Sequence, residues 1–177
     1  MSLILNIGCG GRPTDKMSLY GDVRIDIKKY SNITAVMDAH KLAFRDKVFR
    51  KIVAYEVLEH LDSPIEALKE MRRVLDDDGI IEVTVPNIWY WRLLLACWLG
   101  TMKPKSTETD HKQAWDIFTF QLLALQAGLE CYEIRWLDWY GLPKRRRYGK
   151  IEPFVRLFLP RHLRYTHVLF RLRKSLK

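Results

Sequence analysis

Leu3-Ile4-Leu5-Asn6-Ile7 is a short apolar run that gives way at once to Gly8-Cys9-Gly10-Gly11. A buried strand ending in Gly-x-Gly is a nucleotide-type cradle. Glycines let the backbone approach a ligand closely, and the free N–H groups of such a loop meet negative charge. The rest of the chain alternates short apolar runs with loops and helical patterns, which predicts an α/β fold. Strands are expected at 23–27, 33–37, 51–55, 80–85 (stopped by Pro86), 129–136 and 166–173. The clearest helix is 64–75, with Ile65, Leu68, Met71, Val74 and Leu75 at helical spacing. Pro64 suits its first position, and Ser63 with Glu66 reads as a capping box. Asp76-Asp77-Asp78-Gly79 reads as the turn that ends it. A second helix is expected at 117–127, closed by Gly128.

Two acids follow the glycine loop at informative distances. Asp26 lies 18 residues after Gly8, at the end of the second strand, where an acid is placed to accept both hydroxyls of a bound ribose. Asp38 closes the third strand beside Ala39, where an adenine amino group can be read. The dinucleotide fingerprint wants a third glycine where this chain has Pro13. That disfavours a pyrophosphate-binding dehydrogenase and favours a ligand with ribose and adenine but no phosphate.

Leu5-Asn6-Ile7-Gly8-Cys9-Gly10, then Ile25-Asp26, Met37-Asp38-Ala39, Glu56-Val57-Leu58-Glu59-His60-Leu61 and Arg73-Val74-Leu75-Asp76-Asp77-Asp78-Gly79 together resemble the class I S-adenosylmethionine-dependent methyltransferases, and among them the small methyltransferase type 11. The resemblance covers residues 3–87 and the piece Ala127-Gly128-Leu129-Glu130. It implies a Rossmann-like methyltransferase sandwich, a mostly parallel sheet with helices on both faces, and S-adenosyl-L-methionine as cofactor. It implies that the Gly8-Cys9-Gly10 loop passes under the methionine part of the cofactor. Asp26, with Ile27 after it, holds the ribose side, and Asp38 and Ala39 flank the adenine. Tyr55 and Glu56 line the methionine side, with His60 near the same cleft. Three departures stand out. Asn6 replaces the acid that often precedes the first glycine by two positions, so it can orient the loop but brings no charge. Only five residues join strands two and three, too few for the dozen or so a parallel crossover usually takes, so that sheet edge is expected to be reduced. The connection 12–22 has room for at most a short helix.

Methyl transfer needs donor and acceptor aligned and, for some acceptors, a proton removed, so a catalytic nucleophile need not appear. His60 and His111 are the candidate bases. Glu59 reads as a solvated or helix-capping acid and Cys9 as a small packing residue. Three cysteines (Cys9, Cys97, Cys131) without CxxC spacing point away from disulfides and a zinc site, and no acid cluster resembles the magnesium site of catechol-type enzymes. No metal is therefore expected. The Asn-Pro-Pro-aromatic motif of DNA amino-methylating enzymes is lacking.

The net charge of +9 is unevenly spread. Residues 141–177 hold twelve Lys or Arg and one acid, Glu152, while 1–140 is slightly acidic. The whole chain reads as one domain, 1–177: a cofactor half 3–87, an acceptor-side insertion and helix 88–140, and a basic C-terminal segment 141–177. All six tryptophans fall between 89 and 139, and the apolar stretch 88–99 forms either a core helix, an apolar acceptor pocket or a membrane-surface element. The basic segment suits an anionic membrane surface or a nucleic acid, or is a plain solvated face. No signal peptide is evident at the N-terminus, and the expected location is cytoplasmic, with a membrane-peripheral option. The reading is a methyltransferase acting on a small-molecule, glycan or lipid-linked acceptor. An RNA or protein methyltransferase recruited by the basic segment and a non-catalytic methyltransferase-like binding module are the alternatives.

Overall fold

A computed structural model describes residues 3–10, 19–101, 110–138 and 157–175. Gly11, Pro13, most of the 12–22 connection and the basic stretch 139–156 lie outside the described residues.

Seven strands form one sheet: β1 (Leu3–Ile7), β2 (Val23–Asp26), β3 (Ala35–Val36), β4 (Phe49–Tyr55), β5 (Leu75–Pro86), β6 (Leu129–Leu137) and β7 (His167–Lys174). Their order is β3-β2-β1-β4-β5-β7-β6. The five strands from β3 to β5 are parallel neighbours, and β7 slots antiparallel between β5 and β6. The sheet reverses its winding at β1 and β4, and in such sheets ligands bind beyond the carboxyl ends of the strands at that point. The reduced edge is as expected: β3 has two residues, and no helix joins it to β2.

Strand side chains alternate between faces. Leu5, Ile7, Ile52, Ala54, Ile81, Val83, Phe170 and Leu172 fall on one face and join the apolar core with Leu68, Met71 and Val74 of α1 (Pro64–Val74) and Phe120 and Ala124 of α3 (Ile117–Gln126). Phe120 stacks on Phe170 with centroids 4.2 Å apart. The opposite face carries a charge ladder. Glu82 accepts from Tyr55 Oη (2.8 Å), Lys51 Nζ (2.8 Å) and Arg171 Nε (2.8 Å), and Arg171 also reaches Glu133 (2.7 Å). Arg173 pairs with Glu130 on this face, and at the end of β7 Lys174, on the other face, reaches Asp77. Part of the positive charge of 141–177 is thus spent inside the sheet, because β7 is an internal strand.

The structure corrects several local expectations. Ser63 precedes α1, but its side chain makes no capping hydrogen bond. Its N–H instead donates to His40 Nε2 (3.2 Å), and Glu66 pairs with Lys69 (2.9 Å). A capping box does occur on α3, where Asp116 Oδ1 accepts from the Thr119 N–H (2.8 Å) and Thr119 Oγ1 bonds back to the Asp116 N–H (3.1 Å). Asp76 to Gly79 do not form a separate turn. They continue β5 through an irregularity, with Phe49 opposite Leu75 and Lys51 opposite Ile80. The 88–99 stretch contains α2 (Trp91–Trp98), and it is no core helix: none of its residues is buried, and Trp98 is 79% exposed.

Candidate functional site

The loop after β1 is shaped by its glycines and tied to β2. Gly8 and Gly10 take φ of +68° and +64°, where side chains are disfavoured. A Cβ on Gly8 would stand 2.4 Å from Val57 Cγ2, so the loop lies directly against the segment that follows β4. The N–H groups of Gly8 and Cys9 donate to the Ile25 carbonyl (2.9 and 3.4 Å). Asp26 Oδ2 accepts from Gly10 N–H (2.9 Å), and its Oδ1 accepts from Lys28 N–H (2.9 Å). Each carboxylate oxygen retains a lone pair, so Asp26 can brace the loop and still accept from a ribose hydroxyl. Asn32 Nδ2 donates to the Gly10 carbonyl (3.0 Å), a brace the sequence did not reveal. Asn6 is buried and donates to the Tyr20 carbonyl (3.0 Å), which fixes the chain returning to β2. Cys9 is buried, and burial pushes its thiol up, consistent with a packing role.

Ile27 lies open to solvent beside Asp26, an apolar surface at the strand end. Asp38 and Ala39 differ in exposure. Ala39 is buried, whereas Asp38 is exposed and turned onto His40, whose N–H (2.9 Å) and Nδ1 (2.6 Å) meet its Oδ1. The His40 N–H bond outweighs burial and holds the Asp38 carboxyl below its usual range.

Across the glycine loop, the end of β4 carries the strained part of the site. Tyr55 sends its hydroxyl back along the sheet to Glu82 (2.8 Å). Glu56 adopts φ +56°, uncommon for a residue with a side chain and a frequent mark of functional strain. Its N–H donates to Thr84 Oγ1 (3.1 Å) and to the Thr84 carbonyl (3.2 Å). Its Oε2 pairs with His167 Nε2 (3.0 Å), while Oε1 is buried with no nitrogen or hydroxyl donor. His167 starts β7, so only the antiparallel insertion of that strand delivers it here.

Glu59 overturns its expected solvent role. It sits in a 3-10 turn (Leu58–His60) and is fully buried, with no nitrogen or hydroxyl donor on either carboxylate oxygen and the Glu56 carboxylate as its side-chain hydrogen-bonding neighbour. Burial, followed by repulsion from Glu56, pushes its carboxyl up to about 9, so it holds a proton at neutral pH. Its carbonyl accepts from the N–H groups of Lys112 (2.8 Å) and Gln113 (3.2 Å), which docks segment 110–113 onto the turn. His60 and His111, expected as separate candidates, are brought together with ring centroids 4.7 Å apart. His60 Nδ1 faces the Asp110 carbonyl (3.3 Å) and carboxylate (3.4 Å). Glu59, Asp110 and His167 carry no local sequence signal for this role, because each joins the site from a different part of the chain.

Residues 4–134 match a family described as a methyltransferase domain. The chain belongs to that family. It is a class I, Rossmann-like methyltransferase in fold, and the family's cofactor is S-adenosylmethionine. An uncharacterized protein of Methanocaldococcus jannaschii (MJ1252) is 35% identical over 96 residues, 49% of this chain. The match spans only 38% of that relative's length. In fold, the methyltransferase is similar to a Thermotoga maritima S-adenosylmethionine-dependent methyltransferase described as a possible histamine N-methyltransferase (TM-score 0.67, 19% identity, covering 97% of this chain and 82% of that one). An S-adenosylmethionine-dependent methyltransferase of Archaeoglobus fulgidus is similar at TM-score 0.65 and 15% identity, covering 97% and 85%. The residues at the loop suit the family's cofactor. The cradle has no room for a Cβ on Gly8, and Asp26 has lone pairs to spare.

Proposed function

We propose that this protein is a methyltransferase acting on a small-molecule, glycan or lipid-linked acceptor, and that a lipid-linked acceptor at a membrane surface fits best. The observation that carries this choice is α2, which follows β5 on the acceptor side. Its Leu95 and Trp98, with Leu99 after them and Trp89 before, are exposed. An exposed patch of tryptophan and leucine suits an apolar chain or a lipid interface. No helix among the described residues is long and apolar enough to cross a membrane, so contact of this kind would be peripheral.

When bound, S-adenosylmethionine supplies a methyl group on a sulfonium that leaves as a neutral thioether. The chain's own part is to position and to manage charge. Gly8 and Gly10 let the backbone pass close beneath the ligand. Asp26 anchors that loop and accepts from the ribose side. Glu56, held by His167, offers a carboxylate toward the ammonium and replaces the charge that Asn6 lacks. Where the acceptor must lose a proton, the paired rings of His60 and His111 are the groups proposed to take it. A cytoplasmic location belongs to the same proposal.

Titration calorimetry with S-adenosylmethionine, with Asp26→Ala as control, tests the reading. Heat from the wild type that the variant loses supports it. No heat at millimolar cofactor favours the non-catalytic binding module. Flotation with anionic and neutral liposomes, beside RNA and heparin binding, tests the acceptor side. Retention by RNA alone would turn the reading toward an RNA acceptor, a choice now weakened because Arg171, Arg173 and Lys174 are paired with acids.

A further inference from the structure

The buried carboxylate beside two histidines raises a question that methyl transfer does not answer. Glu59 is fully buried, and the one group that meets its carboxyl is a second acid, Glu56. Held protonated against Glu56 it carries no charge, and an ion that displaced that proton would make the buried carboxylate a ligand. One ligand atom each from Glu59, His60 and His111 lie within 4.8 Å of one another. Ligands bound to one ion at about 2.0–2.2 Å stand roughly 3–4 Å apart, so the widest pair needs to close by about 1–2 Å. His60 Nε2 is already 3.9 Å from Glu59 Oε1. Its other nitrogen, Nδ1, faces the Asp110 carbonyl (3.3 Å) and carboxylate (3.4 Å). That is the arrangement of a metal-ligating histidine, one nitrogen toward the ion and the other fixed by an oxygen acceptor. The docking of 110–113 by the Glu59 carbonyl holds His111 on the same side.

We infer that Glu59, His60 and His111 form a binding site for one divalent first-row transition-metal ion, positioned by Asp110. Two imidazoles and a carboxylate select manganese, iron, cobalt or zinc over magnesium or calcium. Three protein ligands leave coordination positions open, as in catalytic and not structural metal sites. Glu56, whose buried carboxylate meets Glu59, lies next to the cluster and can contribute a fourth oxygen. The ligands come from the turn after β4 and from a segment 50 residues later, so cysteine spacing and local motifs were blind to them. The ion would stand at the mouth of the cofactor cleft, with an open position for an acceptor oxygen. That last assignment rests on the methyltransferase reading, whereas the ion site does not. It also makes His60 and His111 ligands in place of proton acceptors.

The test uses the full chain freed of metal, titrated separately with Mn2+ and Zn2+ by calorimetry, and with Mn2+ by electron paramagnetic resonance. One ion per chain is expected, with binding weakened at least about 10-fold by Glu59→Gln and by His111→Ala. Asp110→Asn should weaken it by less, since it removes the carboxylate charge beside His60 Nδ1 and keeps the backbone carbonyl that accepts from it. Circular dichroism establishes that each variant is folded, and Glu59→Gln preserves the shape of the buried group. No stoichiometric binding at millimolar metal overturns the site, as does binding that Glu59→Gln and His111→Ala leave unchanged. Metal bound without S-adenosylmethionine binding would keep the site and remove the methyltransferase reading. The reverse result would do the opposite.

Discussion

Gly8→Ala puts the closest contact in the cofactor loop under direct test. The new Cβ would stand 2.4 Å from Val57 Cγ2, far inside the ~3.5–4.0 Å at which carbon atoms rest. Val57 cannot swing away cheaply. It is β-branched and stiff at χ1, and its Cβ and Cγ1 already stand 3.5 Å from the same point. Two costs follow. Forcing a residue with a side chain to keep φ +68° costs roughly 1–2 kcal/mol. Overpacking against Val57 costs about 1–3 kcal/mol more. Gly8→Ala should therefore destabilise the fold by about 2–5 kcal/mol and abolish binding of S-adenosylmethionine. Val57→Ala alone removes two methyl groups from a half-buried position and should cost about 1–2 kcal/mol. In the double variant the clash has no second partner, so only the backbone cost persists. The two changes should be non-additive by about 1–3 kcal/mol, with the double variant more stable than the sum of the singles predicts. Urea unfolding of the four proteins measures this. Strict additivity, or a neutral Gly8→Ala, would refute the claim that the loop needs glycine because Val57 presses on it.

Further outcomes concern caps, core and pH. Asp116→Ala should cost about 1 kcal/mol by removing a working cap from α3, whereas Ser63→Ala should stay within about 0.5 kcal/mol, since its side chain caps nothing; thermal melts read both. Phe120→Ala should cost about 3–5 kcal/mol in urea unfolding, through the lost stack on Phe170 and the cavity left between α3 and β7. Burial raises the Glu82 carboxyl, but hydrogen bonds from Lys51, Tyr55 and Arg171 outweigh it and hold it below the usual glutamate value. With a folded value below the unfolded one, Glu82 stabilises the fold above about pH 4.3 and loses that contribution as pH falls through the lowered value. Stability measured against pH should show this acid-side loss in the wild type and a smaller one in Glu82→Gln. Identical acid limbs would remove Glu82 from the account.

What the sequence determined was everything set by near neighbours. The β1 run and its glycines define the loop, Asp26 falls at the end of β2, and the periodicity read over 64–75 defines α1 but for Leu75, which opens β5. The short link between β2 and β3 leaves no space for a crossover helix. These features follow from backbone sterics and local spacing, and a linear reading can see both. The tertiary structure decided the rest of the site. The entry of β7 between β5 and β6 brings His167 to Glu56 and uses Arg171 to neutralise Glu82, turning a segment that looked like a basic tail into the middle of the sheet. The same kind of long-range packing buries Glu59, which reads locally as a surface acid, and sets His111 against His60. Alternation decides which face a strand residue occupies, but not whether that face meets solvent, a charge or another strand. Burial and pairing depend on which distant segment the sheet order places alongside, and no spacing within one segment carries that information.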